Sequence, residues 1–119
     1  MELSKWLAQT LKRKGGQDII VLDVQGRSSI TNFLVIATGT SHRQIETLAL
    51  YPCQELKKSG HPPLSIEGEN TGWILADLGD VVLHVFLEAQ RRYYDLEELW
   101  NKAARVDWQE KENLHIVGF

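Results

Sequence analysis

At 119 residues, 43% hydrophobic and 24% charged, the chain has the size and composition of one globular domain, neither fibrous nor disordered. Its net charge of -3 argues against a generally basic nucleic-acid binder and suits a basic partner. The lone Cys53 excludes an intrachain disulfide and a multi-thiolate zinc site.

No apolar run approaches the roughly 20 residues needed to cross a bilayer, so no membrane role is expected. The start, MELSKWLAQTLKRKGG, is amphipathic without the apolar core and cleavage site of a signal peptide, and no transit sequence is evident. The expected location is therefore a reducing, cytoplasmic interior. From Leu3, apolar residues recur at Trp6, Leu7 and Leu11, one face of a helix that Gly15-Gly16 ends. Asp18 to Val24, DIIVLDV, reads as a β-branched strand closed by Gln25-Gly26, and Asn32 to Gly39, NFLVIATG, as a second strand covered on both faces.

Gly39-Thr40-Ser41 then leads into a helix. Ser41 and Gln44 have capping-box spacing, and Ile45, Leu48, Ala49, Cys53 and Leu56 form the buried stripe. Pro52 falls inside that stripe and predicts a kink or a break, since it removes a hydrogen bond and clashes with the preceding turn. After the linker Gly60-His61-Pro62-Pro63, strands are predicted from Leu64, from Gly72 and from Val81. Turns at Glu69-Asn70-Thr71 and Leu78-Gly79-Asp80 make them an antiparallel meander. The last predicted helix has Asp95 as N-cap and Glu98 three residues on. Tyr94 faces Leu99 as a staple, and Leu96, Leu99, Trp100 and Ala103 turn toward the sheet. DWQEKENLHIVGF, after Val106, has no clear period.

Several residue groups invite chemistry. GTSHRQIE, Gly39 to Glu46, joins a strand end to a helix start, a geometry that can hold phosphate and that resembles the Gly-Ser turn of nucleotidyltransferases. Those enzymes need a close carboxylate pair for metal, and only Glu46 precedes Glu55 here. An ordinary capped turn also explains the pattern. Asp77 and Asp80 could share a cation or shape a hairpin turn. His84 shares a sheet face with Val82 and Phe86 and has no visible nucleophile, so a hydrogen-bonded sheet histidine or an interface residue is expected. His42, His61, His84 and His115 lack ligand spacing. Arg91, Arg92, Tyr93 and Tyr94 suit structural support or protein docking. They suit nucleic acid less, because Glu88, Asp95, Glu97 and Glu98 lie nearby.

Three ordered blocks, DIIVLDVQGRSSITNFLVIATGTSHRQI, SIEGENTGWILADLGDVVLHVF and RRYYDLEELW, resemble the ribosomal silencing factor family, also called Iojap, from about Asp18 to Val106. Two positions depart from the family pattern: Asn32 stands where Asp is usual, and Pro52-Cys53 falls in a helix that is otherwise uninterrupted. The resemblance implies a single α+β domain with a mixed five-stranded sheet and helices packed on it, nucleotidyltransferase-like in shape without the active site. It places the domain at residues 1–107, with a C-terminal tail at 108–119. It implies a non-enzymatic factor, free of cofactor and metal, that binds ribosomal protein fourteen of the large ribosomal subunit. Such a factor blocks joining of the subunits and represses translation, chiefly when nutrients are short. No sequence-specific nucleic-acid binding is implied, and a homodimer is left open for the free protein. The contact surface is expected at Trp73, Asp77, Asp80, His84, Phe86, Arg91, Tyr93 and Glu97, with aromatics as anchors and acids as electrostatic complement. The rival reading is a nucleotide-binding enzyme using the turn from Gly39 to Ser41.

Overall fold

A computed structural model describes residues 2–109. Helix α1 (Leu3–Arg13) buries Leu7, Ala8 and Leu11. It ends in a Schellman motif: the Gly16 N–H donates to the Leu11 carbonyl at 2.8 Å and the Gly15 N–H to Lys12 at 3.0 Å. Gly15 takes φ 91°, a left-handed conformation that a β-carbon would strain. Strands β1 (Gln17–Asp23) and β2 (Phe33–Gly39) pair antiparallel, and helix α2 (His42–Lys58) follows. Strands β3 (Ser65–Glu67), β4 (Trp73–Asp77) and β5 (Val81–Leu87) form the expected meander.

The chain continues through helices α3 (Glu88–Tyr94) and α4 (Leu96–Leu99) to a short strand β6 (Ala104–Arg105). The sheet order is β3-β4-β5-β2-β1-β6. Its two central strands, β2 and β5, run parallel, with Phe33 opposite Val81 and Gly39 opposite Leu87, and every other pairing is antiparallel. Both central strands are buried almost throughout, which is why they read as unbroken apolar runs.

The two faces of the sheet have different covers. On one, α1 and α2 pack over Val21, Val35, Ala37, Ile74, Ala76, Leu83 and Val85. On the other lie Leu22, Leu34, Ile36, Val82 and Phe86, with partly buried Ile20, Trp73 and Leu75. Leu96, Trp100 and Ala103 pack against that cluster.

Five features differ from the sequence reading. The sheet has six strands rather than five, because β6 pairs with β1 through Leu22 and Asp23. Helix α2 continues through Pro52, so the break, one of the two outcomes expected there, does not occur: the buried stripe of Ile45, Leu48, Ala49, Pro52 and Cys53 is continuous. Residues expected as a connection form α3. The last helix stops at Leu99, which is 72% exposed, so neither the staple with Tyr94 nor sheet packing by Leu99 forms. Trp108, on the tail side of the boundary at 107, is buried in the core; its indole N–H donates to the Ile19 carbonyl at 3.2 Å, and Gln9 donates to its carbonyl at 2.9 Å. The tail expectation for residues 110–119 lies outside the described residues.

Asp95 holds α3 and α4 together. It adopts φ 47°, its N–H donates to the Arg91 carbonyl at 2.9 Å, and its carboxylate accepts from the Glu98 N–H at 3.3 Å as the expected N-cap. Asp95→Ala loses the cap, about 0.5–2 kcal/mol, and adds left-handed strain of about 1 kcal/mol. Asp95→Asn tolerates both demands. Thermal unfolding should show the alanine variant clearly destabilised and the asparagine variant close to the parent; equal stability of all three would remove Asp95 from this role.

A candidate protein-docking face

Period-two alternation places Trp73, Leu75 and Asp77 of β4 on the sheet face away from α1 and α2. Their cross-strand partners Phe86, His84 and Val82 of β5 lie on the same face. Trp73 and Phe86 stack with ring centroids 5.0 Å apart, and the Trp73 indole N–H donates to Nδ1 of His84 at 3.0 Å. Helix α3 leads straight out of β5 and sets Tyr94 against Trp73, centroids 4.5 Å apart. Tyr93 meets Tyr94 edge to face at 5.0 Å. The result is a graded aromatic cluster: Phe86 is wholly buried, Trp73 is half-buried, Tyr94 is 48% exposed and Tyr93 is 81% exposed.

His84 is the hydrogen-bonded sheet histidine that the sequence allowed. As acceptor from Trp73, Nδ1 must carry no proton. Burial favours the same neutral form, pushing the imidazole down from 6.5 to about 4. A neutral ring keeps the Trp73 indole oriented.

Arg91 has a different place from the one expected. It is buried, 8% exposed. Nη1 donates to the Asp18 carbonyl at 2.7 Å and to Thr38 Oγ1 at 2.8 Å, while Nε and Nη2 grip the two Glu97 carboxylate oxygens at 3.1 and 3.0 Å. Four of its five N–H donors are therefore satisfied internally. Arg91 and Glu97 form an ion pair tying α3 and α4 to β1 and β2, and the open recess over them is lined by Asp18, Glu88, Arg92 and Asp95. Arg92, beside them, is exposed and lies 3.9 Å from Glu88. Phe86 supports Trp73 from below and offers no surface of its own.

Asp77 and Asp80 flank the β4–β5 turn rather than the cluster. The Asp77 carboxylate accepts from the Gly79 N–H at 2.9 Å, and the Asp80 carboxylate accepts from the Asn32 amide. The first bond is the kind a polar hairpin turn uses, and the second ties that turn to the residue before β2. Among the described residues no group of three or more His, Cys, Asp or Glu side chains is placed to hold a metal ion.

The rival site at Gly39 is filled by its own chain. Ser41 Oγ accepts from the Gln44 N–H at 3.0 Å, but the Gln44 side chain reaches past the N-cap. Its Oε1 accepts from the Thr40 N–H at 2.6 Å and from Thr40 Oγ1 at 2.9 Å, and its Nε2 donates to the Gly15 carbonyl at 3.2 Å. These donors face a glutamine, and a β-carbon on Gly39 would stand 2.7 Å from Ile45. Tyr94 is the surface residue that sequence reasoning assigned elsewhere; its adjacency to Tyr93 on a helix end was the available signal.

The family model described as "Ribosomal silencing factor during starvation" matches residues 1–116. A protein named ribosomal silencing factor RsfS from Haemophilus influenzae is 43% identical over 101 residues, covering 84% of this chain and 99% of that one. A mouse protein named mitochondrial assembly of ribosomal large subunit protein 1 is 33% identical over 98 residues, covering 79% of this chain and 43% of its own length. Among solved structures, an X-ray structure of a Chromobacterium violaceum protein superposes with a TM-score of 0.79 at 41% identity, covering 85% of this chain and 88% of that one.

Two predictions come from this geometry. Arg91→Met leaves Glu97 half-covered and without its partner. It should cost about 3 kcal/mol in denaturant unfolding, at the lower end of the range for broken buried pairs because Glu97 still reaches water. Arg91→Lys should not restore it, since a single ammonium cannot span both oxygens, Thr38 and Asp18. Loss-free unfolding of Arg91→Met would show the network to be energetically idle.

The second concerns pH. The unfolded chain takes up a proton at His84 near pH 6.5 and the folded chain only near 4, so acid favours the unfolded state. His84 should therefore contribute full stability above about pH 6.5 and lose about 3 kcal/mol by pH 4. His84→Gln keeps an acceptor without a titration, and its stability profile should be flatter over that interval. Parallel profiles for parent and variant would contradict the assignment.

Proposed function

This chain belongs to the ribosomal silencing factor family, and from that membership we propose that it is a non-enzymatic regulator that binds the large ribosomal subunit in the cytoplasm. The partner we assign is ribosomal protein fourteen, at the face where the small subunit docks. Occupying that face prevents subunit joining and lowers translation, chiefly under nutrient limitation.

The observation that carries this reading is the aromatic cluster itself. Tyr94 packs on Trp73, which Phe86 and His84 hold in place, and the more exposed Tyr93 stands edge-on against Tyr94. Rigid aromatic anchors of this kind lose little conformational entropy on binding and dominate interface energetics. Around them, Asp95 and Glu98 supply negative charge, while Glu88 and Glu97 are offset by Arg92 and Arg91. A basic ribosomal protein is the electrostatic complement, and opposite potentials steer encounter and fix register. In this arrangement Trp73, Tyr93 and Tyr94 make contact, Phe86, His84, Arg91 and Glu97 set the contact surface, and Asp77 and Asp80 lie at its edge. An isolated nucleotidyltransferase-like activity has no support from the Gly39 turn, whose donors Gln44 already engages.

The test is sedimentation with purified subunits. The protein should migrate with large but not small subunits, and an excess should shift reassociating ribosomes toward free subunits. Unchanged joining at saturation would overturn the reading. Tyr93→Ala should weaken large-subunit binding by at least about 2 kcal/mol, the usual hot-spot threshold. Because Tyr93 is 81% exposed, its melting temperature should stay at the parent value. Parent-like binding by that folded variant would move the anchor to Trp73 and Tyr94.

A further inference from the structure

The net charge of -3 conceals a division by layer. Residues 2–14 and 42–58, which hold α1 and α2, carry seven Lys and Arg against three Glu, a surplus of four. The rest of the described chain, 15–41 and 59–109, carries five Lys and Arg against eleven Asp and Glu, a deficit of six. The helical layer is thus positive, and the sheet with α3 and α4 is negative.

The positive charge gathers at one corner. Lys12, Arg13 and Lys14 at the end of α1 and Arg43 at the start of α2 are all exposed, and the Gln44 to Gly15 hydrogen bond joins the two helix ends. None of these four cations pairs with a carboxylate among the described residues, whose ion pairs are Lys58–Glu55, Arg91–Glu97 and Arg92–Glu88. Lys12 and Arg13 suit the negative end of the α1 dipole. Arg43, in the first turn of α2, opposes the positive end of that helix's dipole, so helix stability does not account for it.

Beside this corner a groove of about 290 Å³ runs between α1 and α2, lined by Trp6, Thr10, Arg13, Lys14, Tyr51 and Glu55. Lys14 Nζ lies 4.0 Å above the Tyr51 ring, and Arg13 donates to Thr10 Oγ1 at 3.2 Å, so both cations are held rather than free to collapse. Glu55, the one acid on the groove, is engaged with Lys58 at 3.4 Å.

We propose that this basic corner of the α1–α2 layer is a contact surface for the sugar–phosphate backbone of duplex RNA, separate from the aromatic docking face. Unpaired, exposed cations match phosphates spaced along a strand, and contact of this type reads no sequence. A lipid surface fits less well, because the large exposed apolar residues Ile30, Leu64, Tyr93, Tyr94 and Leu99 all lie off this layer and none can insert there. Single-stranded RNA fits less well because Trp6 and Tyr51 are half-buried, and Lys14 already covers Tyr51, so no open ring remains for base stacking. The proposal goes beyond the function assigned above, which uses the acidic side. Together the two surfaces would let one small domain touch a basic protein and RNA at once.

The test uses deproteinised large-subunit RNA and the full chain, with binding followed across a salt series. The parent should bind with affinity that falls as salt rises. The triple variant Lys12→Gln, Arg13→Gln, Lys14→Gln should bind at least about tenfold more weakly, with a log–log salt slope shallower by about 2. Arg43→Gln alone should act in the same direction by a smaller step. Glu98→Gln, on the acidic side, should bind RNA no worse than the parent. All five substituted side chains are exposed, so each variant should still unfold cooperatively at a temperature near the parent's, which separates loss of charge from loss of fold. An RNA affinity and slope shared by parent and triple variant, or no salt-dependent binding by the parent, overturns the proposal. Failure of the docking reading appears elsewhere, as loss of co-sedimentation with intact large subunits.

Discussion

The Arg91 guanidinium is the junction on which the exposed face depends. Helix α3 has only one buried residue, and that residue is Arg91. An apolar anchor would have fixed how far α3 sits from the sheet but not its rotation or slide. A planar fork bonded to Thr38, the Asp18 carbonyl and both Glu97 oxygens fixes all three, because each bond has a direction. The Asp18 carbonyl it grips belongs to a residue at φ 49° within the irregularity that interrupts β1 pairing. The distortion of β1 and the placement of α3 are therefore one feature. Tyr94 reaches Trp73 because α3 is held where it is.

That arrangement explains how a sheet serves both as core and as surface. Helices α1 and α2 seal one face, so the domain does not need the other for its main core. The second face is capped near β1 and β2 by Leu96, Trp100 and Ala103, while toward β4 it thins to Trp73 and Leu75. The strands behind it are the most buried in the molecule, which gives the exposed rings a rigid base. Binding then requires little reorganisation.

Strands β1 to β5, the meander and both helix caps were legible because each has a local signature: alternation, turn residues, or a hydroxyl or carboxylate three residues before its partner. Ser41 and Asp95 met those expectations. Helix α3 was hidden for a physical reason. Its N-cap is Leu87, which offers no side-chain acceptor, and the chain passes from strand to helix with no turn residue between. Missing that helix also misplaced Arg91, since charge normally marks surface, and the partners that bury it are 53 and 73 residues away. On the docking face, Trp73, His84 and Phe86 were legible through alternation, whereas Tyr94 was assigned to a staple that the exposed Leu99 does not complete. Trp108 carried no local signal at all. Its burial depends on β1 and α1, nearly a hundred residues earlier.

The parallel pairing of β2 with β5 has a consequence for how the chain is made. Phe33 cannot meet Val81 until everything between them has been synthesised, so β2 waits with one edge bare while α2, β3 and β4 emerge. At roughly 5–20 residues per second, that wait lasts a few seconds. During it an almost entirely apolar strand stands open to pairing with another chain. Contacts this distant in sequence also close slowly. A nascent fragment ending in the linker at Gly60 would carry α1, β1, β2 and α2 without the strand that completes them. Such a fragment is an aggregation hazard, and the translating ribosome holds the chain in that state once in every round of synthesis.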